Sequence, residues 1–246
     1  MLVADKLIVS FKQPIGLKPL LLPLSFCLKP NNVYSIIGKN GSGKTTLIKA
    51  LTRLNDDAVY KIEGKVWFND INLFEAAVPV LTKIRREKIK YVFQDSINSF
   101  DPLKKLKYYF KPFLKQPDLH NLMKYFLFDN PNEVLELYSY ELSGGMAQRL
   151  SIILALLYEP DILILDEPTS GIDYPIINLL LHAIKQFIMK ENKIVLLVTH
   201  DLQFAEEVSN MISILQSGAL SEFLQTKEFF SLENNSLIKA YREKLE

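Results

Sequence analysis

Apolar positions along this chain follow two rhythms: an alternating or continuous one that marks strands, and a helical one with spacings of three and four. Over residues 2–3, 7–9 and 24–28 the pattern predicts short strands, interrupted by Pro14, Gly16, Pro19, Pro23 and Pro30. Pro30-Asn31-Asn32 predicts a turn, and residues 33–37 a short, nearly continuous apolar strand of the buried kind. A glycine-rich loop follows over 38–46, and 47–51 continues as a helix. Residues 64–68 predict a strand with a turn at Asn69-Asp70, in keeping with a small antiparallel sheet, and 90–93 predict another strand.

Over 100–142 the spacing turns helical, lysines mix with aromatics, and Pro102, Pro112, Pro117 and Pro131 punctuate the run. A short helical insert is expected there. Helical spacing is strong over 145–158 and stops at Pro160-Asp161. Beyond it, 162–165 and 194–198 read as buried strands, 176–189 and 202–208 as helices, and 211–215 as a strand with a turn at 216–218. Apolar strands separated by helices imply an α/β core with a mostly parallel sheet.

Composition removes several alternatives. The formal net charge is +1, without the basic excess of a duplex-binding domain, so no nucleic-acid partner is expected. Hydrophobic residues at 48% and charged ones at 23% describe a globular chain. A single cysteine, Cys27, excludes an internal disulfide framework and a multi-cysteine metal site. Its apolar surroundings predict a buried small side chain. Asp5 and Lys6 interrupt the start, so no signal peptide is expected. No apolar run reaches the length of a membrane span. The chain is expected in the cytoplasm, or at a membrane through a partner.

The loop Gly38-Lys39-Asn40-Gly41-Ser42-Gly43-Lys44-Thr45, continued by Thr46, fits G-x-x-x-x-G-K-[ST] between a buried strand and a helix. Its glycines let backbone N–H groups converge on a phosphate at a helix N-terminus. Lys44 then suits the outer phosphates of a nucleoside triphosphate, and the Thr45 hydroxyl suits Mg²⁺. Asp166-Glu167 closes an apolar strand at its C-terminal end, where open α/β sheets keep their ligands. Asp166 fits the Mg²⁺ partner and Glu167 fits polarising an attacking water. Leu142-Ser143-Gly144-Gly145-Met146 opens another helix. With Ser143 as N-cap and two glycines baring N–H groups, it reads as a second anion site or as plain helix capping.

That second element resembles the signature motif of the ATP-binding cassette (ABC) ATPases, with Met146 in place of the family's usual final glutamine. The resemblance implies an α/β P-loop NTPase fold of ABC type: a mostly parallel core sheet, a small antiparallel β subdomain and a short α-helical insert. It implies a catalytic core over 1–94 and 150–220, the insert and signature motif over 95–149, and a tail over 221–246. Further residues match in order. Gln94 is similar to the Q-loop glutamine, which touches Mg²⁺ or the water and couples the site to the insert. Ser170-Gly171-Ile172-Asp173 is similar to the D-loop, and His200 to the switch histidine at the γ-phosphate. Phe11 is the candidate for stacking on adenine, with a core phenylalanine as the alternative. Because the family's cassettes pack head to tail, Ser143, Gly144 and Gly145 would touch the ATP held by a partner cassette.

Within the family, Gln94-Asp95-Ser96-Ile97-Asn98-Ser99-Phe100-Asp101-Pro102 resembles the Q-loop extension of importers for oligopeptides, dipeptides and nickel. Ser96 replaces the proline usual there, and Phe100-Asp101 replaces Leu-Asn. Tyr138 and Gln148-Arg149 are similar to the same branch. A trimmed insert and the lack of a cysteine-containing C-terminal extension resemble nickel and metal–chelate import members, which puts a metal or metal chelate ahead of oligopeptide as cargo. The implied partners are a second ABC ATPase subunit (a paralogue or a copy of this chain), two transmembrane permease subunits and an extracytoplasmic solute-binding protein. The implied location is the cytoplasmic face of the membrane. Tyr108, Tyr109, Phe110, Phe113, Tyr125, Phe126 and Phe128 either dock the permease or fill the insert's own core. The alternatives are an ABC exporter ATPase and a non-transport ABC ATPase.

Overall fold

In the computed structural model, which describes residues 1–232, the chain enters on two long antiparallel strands, β1 (Leu2–Lys12) and β2 (Leu17–Leu28). There follow β3 (Asn32–Ile37), α1 (Lys44–Leu51), β4 (Tyr60–Phe68), β5 (Ile71–Asn72), α2 (Val78–Glu87) and β6 (Ile89–Val92). The insert carries α3 (Lys107–Phe110), α4 (Pro117–Tyr125) and α5 (Pro131–Leu135). After it come α6 (Gly144–Leu157), β7 (Ile162–Asp166), α7 (Tyr174–Ile188), β8 (Ile194–Thr199), α8 (Leu202–Val208) and β9 (Met211–Gln216). Two short strands, β10 (Ala219–Leu220) and β11 (Leu224–Gln225), and helix α9 (Thr226–Ser231) complete the described part.

The strands form two sheets. A four-stranded antiparallel sheet runs β2-β1-β4-β5, and a larger one runs β10-β9-β3-β8-β7-β6 with β11 beside β9. Strands β3, β6, β7, β8 and β9 pair in parallel. This is an α/β architecture with a mostly parallel core sheet, an antiparallel β subdomain and a helical insert, the arrangement the resemblance implies.

Strands β7 and β8 are buried along their whole length, which is why their sequences read as unbroken apolar runs. Their side chains serve two cores in alternation. Ile162, Ile164, Ile194, Leu196 and Val198 pack with α1 and the antiparallel sheet. Leu163, Leu165, Val195 and Leu197 pack with α6, α7 and the insert.

Several expectations change. Residues 2–12 form one strand rather than two. Strand β2 runs through Pro19 and Pro23, because its ladder with β1 shifts register there: Pro23 is left unpaired and Pro19 borders a second shift, and a bulged edge strand admits residues without an N–H. Strand β4 begins before Gly64 and passes through it at φ +99°, opposite a register shift in β1. A Cβ there would lie 2.4 Å from Lys6 O, so the bulge admits only glycine. Cys27 is exposed, since β2 turns alternate residues outward. Of the seven aromatics between 108 and 128, Phe110, Phe113, Phe126 and Phe128 are buried, Tyr109 and Tyr125 pack against the same core, and Tyr108 stands mostly in solvent. The core reading therefore holds for most of them. In the tail, Phe229 of α9 is buried against Ile212 and Ile214; residues 233–246 lie outside the described residues.

Candidate functional site

The strand β3, the loop after it and α1 build the floor of a cleft of about 630 Å³. Gly43 caps α1 at φ +99°, a left-handed turn that glycine adopts without strain and that swings the chain into the helix. The turn places Lys44 and Thr45 in the first turn of α1 rather than in the loop. Phe11, Asn40, Gly41, Thr46, Tyr60 and Gln94 line the same cleft, together with Lys44, Thr45 and Glu167.

Lys44 is 6% exposed, and its ammonium donates to Gly38 O at 2.8 Å and to Lys39 O at 3.3 Å. It also pairs with Glu167 Oε1 at 3.1 Å. The other oxygen of Glu167, Oε2, accepts from His200 Nδ1 at 2.8 Å and from the His200 backbone N–H at 3.2 Å. That contact requires the hydrogen on Nδ1 and leaves Nε2 of the exposed imidazole turned elsewhere. Glu167 itself adopts φ +47°, an uncommon conformation for a residue with a side chain. Its backbone N–H is held by Val198 O at 2.9 Å, so the parallel sheet fixes the turn that aims its carboxylate.

Asp166, 1% exposed, takes Thr45 Oγ1–H on Oδ1 at 3.1 Å and Tyr91 Oη–H on Oδ2 at 2.8 Å. Burial pushes its carboxyl above the usual range, with the neighbouring Glu167 adding to the rise; the two hydroxyl donors pull against it. Burial and the adjacent Asp166 likewise hold the Tyr91 phenol well above its ordinary value, so it stays a donor. Asp166 beside the Thr45 hydroxyl is a hard, all-oxygen donor set with one buried carboxylate, which suits Mg²⁺ completed by phosphate oxygens and water. The site residues therefore fit the ion.

Phe11 stands at the mouth, 40% exposed, with its ring edge-on to Tyr60, its direct partner across the β1–β4 ladder. It is not a core phenylalanine. Ser143, Gly144 and Gly145 are not among the residues that line the cleft. Ser143 caps α6, its Oγ accepting from Met146 N–H at 3.2 Å, and Ser143 and Gly144 are exposed. Gly145 packs against the D-loop-like segment, where a Cβ would lie 3.1 Å from Gly171 O. Asp173, exposed, precedes α7 just beyond that contact. Arg149 binds α6 to the insert, donating to Phe126 O at 2.8 Å with its guanidinium over the Phe128 ring. Tyr91, Tyr60 and Ser96 carry contacts that no motif flagged. Tyr91 was legible only as a strand residue, because its hydroxyl matters through a carboxylate distant in sequence.

A P-loop nucleotide-hydrolysing cassette is the class that this fold and cleft define. The family model described as ABC transporter matches residues 21–170, and the chain belongs to that family. Among curated relatives, the oligopeptide transport ATP-binding protein OppD of Lactococcus lactis subsp. cremoris is 28% identical over 239 residues, covering 93% of this chain and 71% of its own length. The phosphate import ATP-binding protein PstB of Mycoplasma capricolum subsp. capricolum is 36% identical over 214 residues, covering 83% and 78%. Among solved structures, the dimeric bacterial ABC transporter cassette MJ0796 superposes with a TM-score of 0.80 at 25% identity, covering 92% of this chain and 99% of that one. The chain is an ATP-hydrolysing enzyme whose activity energises transport, and it works on ATP with Mg²⁺. Among the described residues, no helix is long and apolar enough to cross a membrane.

Proposed function

We propose that this chain is the ATPase subunit of an importer and that it hydrolyses ATP sandwiched between two cassettes. The observation that carries the reading is the separation of two anion-binding helix starts: Lys44 and Thr45 open α1 inside the cleft, while Ser143 and Gly144 open α6 on an exposed surface outside it. A second cassette facing head to tail would bring its own Ser143–Gly145 equivalent over this cleft, and would receive this chain's motif over its own. The dimeric MJ0796 cassette supports that arrangement.

In this reading Lys44 and the loop N–H groups hold the β and γ phosphates, and Phe11 stacks on the adenine. Thr45, Asp166 and Gln94 hold Mg²⁺, which neutralises phosphate charge. Glu167 polarises the attacking water, and His200, already joined to Glu167, contacts the γ-phosphate. Asp173 and its segment line the seam between the cassettes. Closure would exclude bulk water and leave the reacting one beside Glu167.

The partners are then a second ATPase subunit, two permease subunits and an extracytoplasmic solute-binding protein, with this chain held peripherally at the cytoplasmic face. Exposed Leu103, Tyr108, Leu114, Leu127 and Tyr140 are the large apolar side chains the insert can offer a permease. The cargo we infer is an oligopeptide or a metal chelate such as nickel's. The segment 94–102 supports this, as do the peptide-transport relatives, which align over nearly the whole chain. Phosphate is the second reading, favoured by the higher identity to phosphate-import relatives.

Mass spectrometry of what co-purifies with the tagged chain from gently solubilised native membranes tests the assignment. Recovery of two permeases, a second cassette and a solute-binding protein is expected, and screening that binding protein against peptides, nickel chelates and phosphate identifies the cargo. A chain recovered with ribosomal or DNA-repair proteins, or without any permease, refutes the transport reading.

A further inference from the structure

Ser96 and Gln148 are polar side chains in an apolar setting, 4% and 2% exposed, and they meet. Ser96 lies in the loop after β6, two residues past Gln94; Gln148 lies on α6, the helix that Ser143 caps. Ser96 Oγ is hydrogen-bonded to the Gln148 side-chain amide and lies 2.9 Å from Phe93 O.

A serine hydroxyl holds one hydrogen, and a carbonyl oxygen only accepts. The hydrogen of Ser96 therefore goes to Phe93 O, and the amide of Gln148 must be the donor to Oγ. Which end of a glutamine amide is nitrogen follows from its partners. With Oε1 on Ser96, Nε2 is a buried donor without a hydrogen-bond partner among the described residues. Turning the amide exchanges the unpaired donor for a carbonyl acceptor, which is less costly to leave unpaired, and gives a relay: Gln148 Nε2–H to Ser96 Oγ, then Ser96 Oγ–H to Phe93 O. Phe93 O belongs to the peptide unit that supplies the backbone nitrogen of Gln94.

We propose that Ser96 and Gln148 form a positioning link that holds Gln94 in register with the signature-motif helix of the same chain. The link rests on the roles assigned above to Gln94 and to Ser143–Gly145. It makes the loop that serves this chain's nucleotide and the motif that serves the partner's nucleotide move as one unit. Neither side chain touches ATP.

The test compares wild type with Ser96→Ala, Ser96→Thr, Gln148→Met and the Ser96→Ala/Gln148→Met double variant, in the assembled transporter. Each of Ser96→Ala and Gln148→Met is expected to lower kcat about tenfold, with KM for ATP within about twofold of wild type, the loss of one buried hydrogen bond acting on assembly of the site. The double variant falls no further than the worse single one, because both break the same link. Ser96→Thr keeps the hydroxyl and restores turnover. Wild-type kcat in Ser96→Ala, losses that multiply in the double variant, or a loss that tracks Tm and is not rescued by threonine would each overturn the link. Hydrogen exchange over residues 93–99 gives a reading independent of turnover. It should quicken equally in both single variants, and unchanged exchange overturns the link. A wild type without turnover counts instead against the proposed function.

Discussion

Replacing Glu167 by glutamine removes one negative charge and almost no volume, and the structure separates what that does to binding from what it does to chemistry. Glu167 Oε1 lies 3.1 Å from Lys44 Nζ, with both side chains almost fully buried. Lys44 keeps its contacts to Gly38 O and Lys39 O without the carboxylate, so the loop remains anchored. Freed from a competing anion, Lys44 should hold phosphate as well as before or up to about tenfold more tightly, the scale of one charge-assisted hydrogen bond partly replaced. Chemistry behaves differently. An amide at 167 cannot take a proton from the water, and a positioned general base contributes roughly 10²–10⁴ in rate. That is about 3–5 kcal/mol on the barrier. Equilibrium binding of MgATP and rapid-quench measurement of phosphate release on one preparation give the two numbers side by side. Hydrolysis within about threefold of wild type would refute the assignment of Glu167 as the base, since no base contribution would then be visible. Affinity weakened more than about tenfold would mean that the carboxylate serves mainly to brace Lys44.

Three further changes probe separate parts of the site. Tyr91→Phe removes the donor to Asp166 Oδ2, and the Mg²⁺ concentration for half-maximal turnover should rise about tenfold; an unchanged Mg²⁺ titration refutes the orienting role. Phe11→Ala should weaken ATP by roughly tenfold through lost stacking, while leaving tripolyphosphate affinity unaltered in competition binding; equal losses for both ligands would move Phe11 out of the adenine site. Gly145→Ala sets a methyl group 3.1 Å from Gly171 O. It should cut turnover several-fold with nucleotide binding by the single chain intact, and a wild-type rate would show that this contact can give freely.

What the sequence made legible was whatever is written in local pattern. The parallel strands β3, β7 and β8 are buried on both faces, so their apolar runs stand out without any partner in view. The loop before α1 is equally local, because its glycines, lysine and threonine are neighbours in the chain. Helix α2 escaped notice since only Leu81 and Ile84 are buried on it, too little apolar surface to set a period. Strand β2 reads as broken because a proline's cost depends on where the ladder shifts register, and that is a property of the pairing with β1. The contacts of Tyr91 and Ser96 were invisible for the same reason. Each acts through a partner 75 or 52 residues away, which only the paired strands and the packed helix bring into reach. Cys27 was misjudged because the register of β2 faces it outward.

The edge position of β2 has a consequence for the company this chain keeps. An open strand edge is a standing invitation to recruit strands from other molecules. Here the outer border of β2 is already engaged, with the N–H of Leu22 taken by Gly218 O and Leu20 O beside the same glycine. The opposite border is only two residues long, Ile71–Asn72. Neither rim offers a usable template for growth. At high local concentration such a chain is thereby kept from being drawn into stacked β-aggregates.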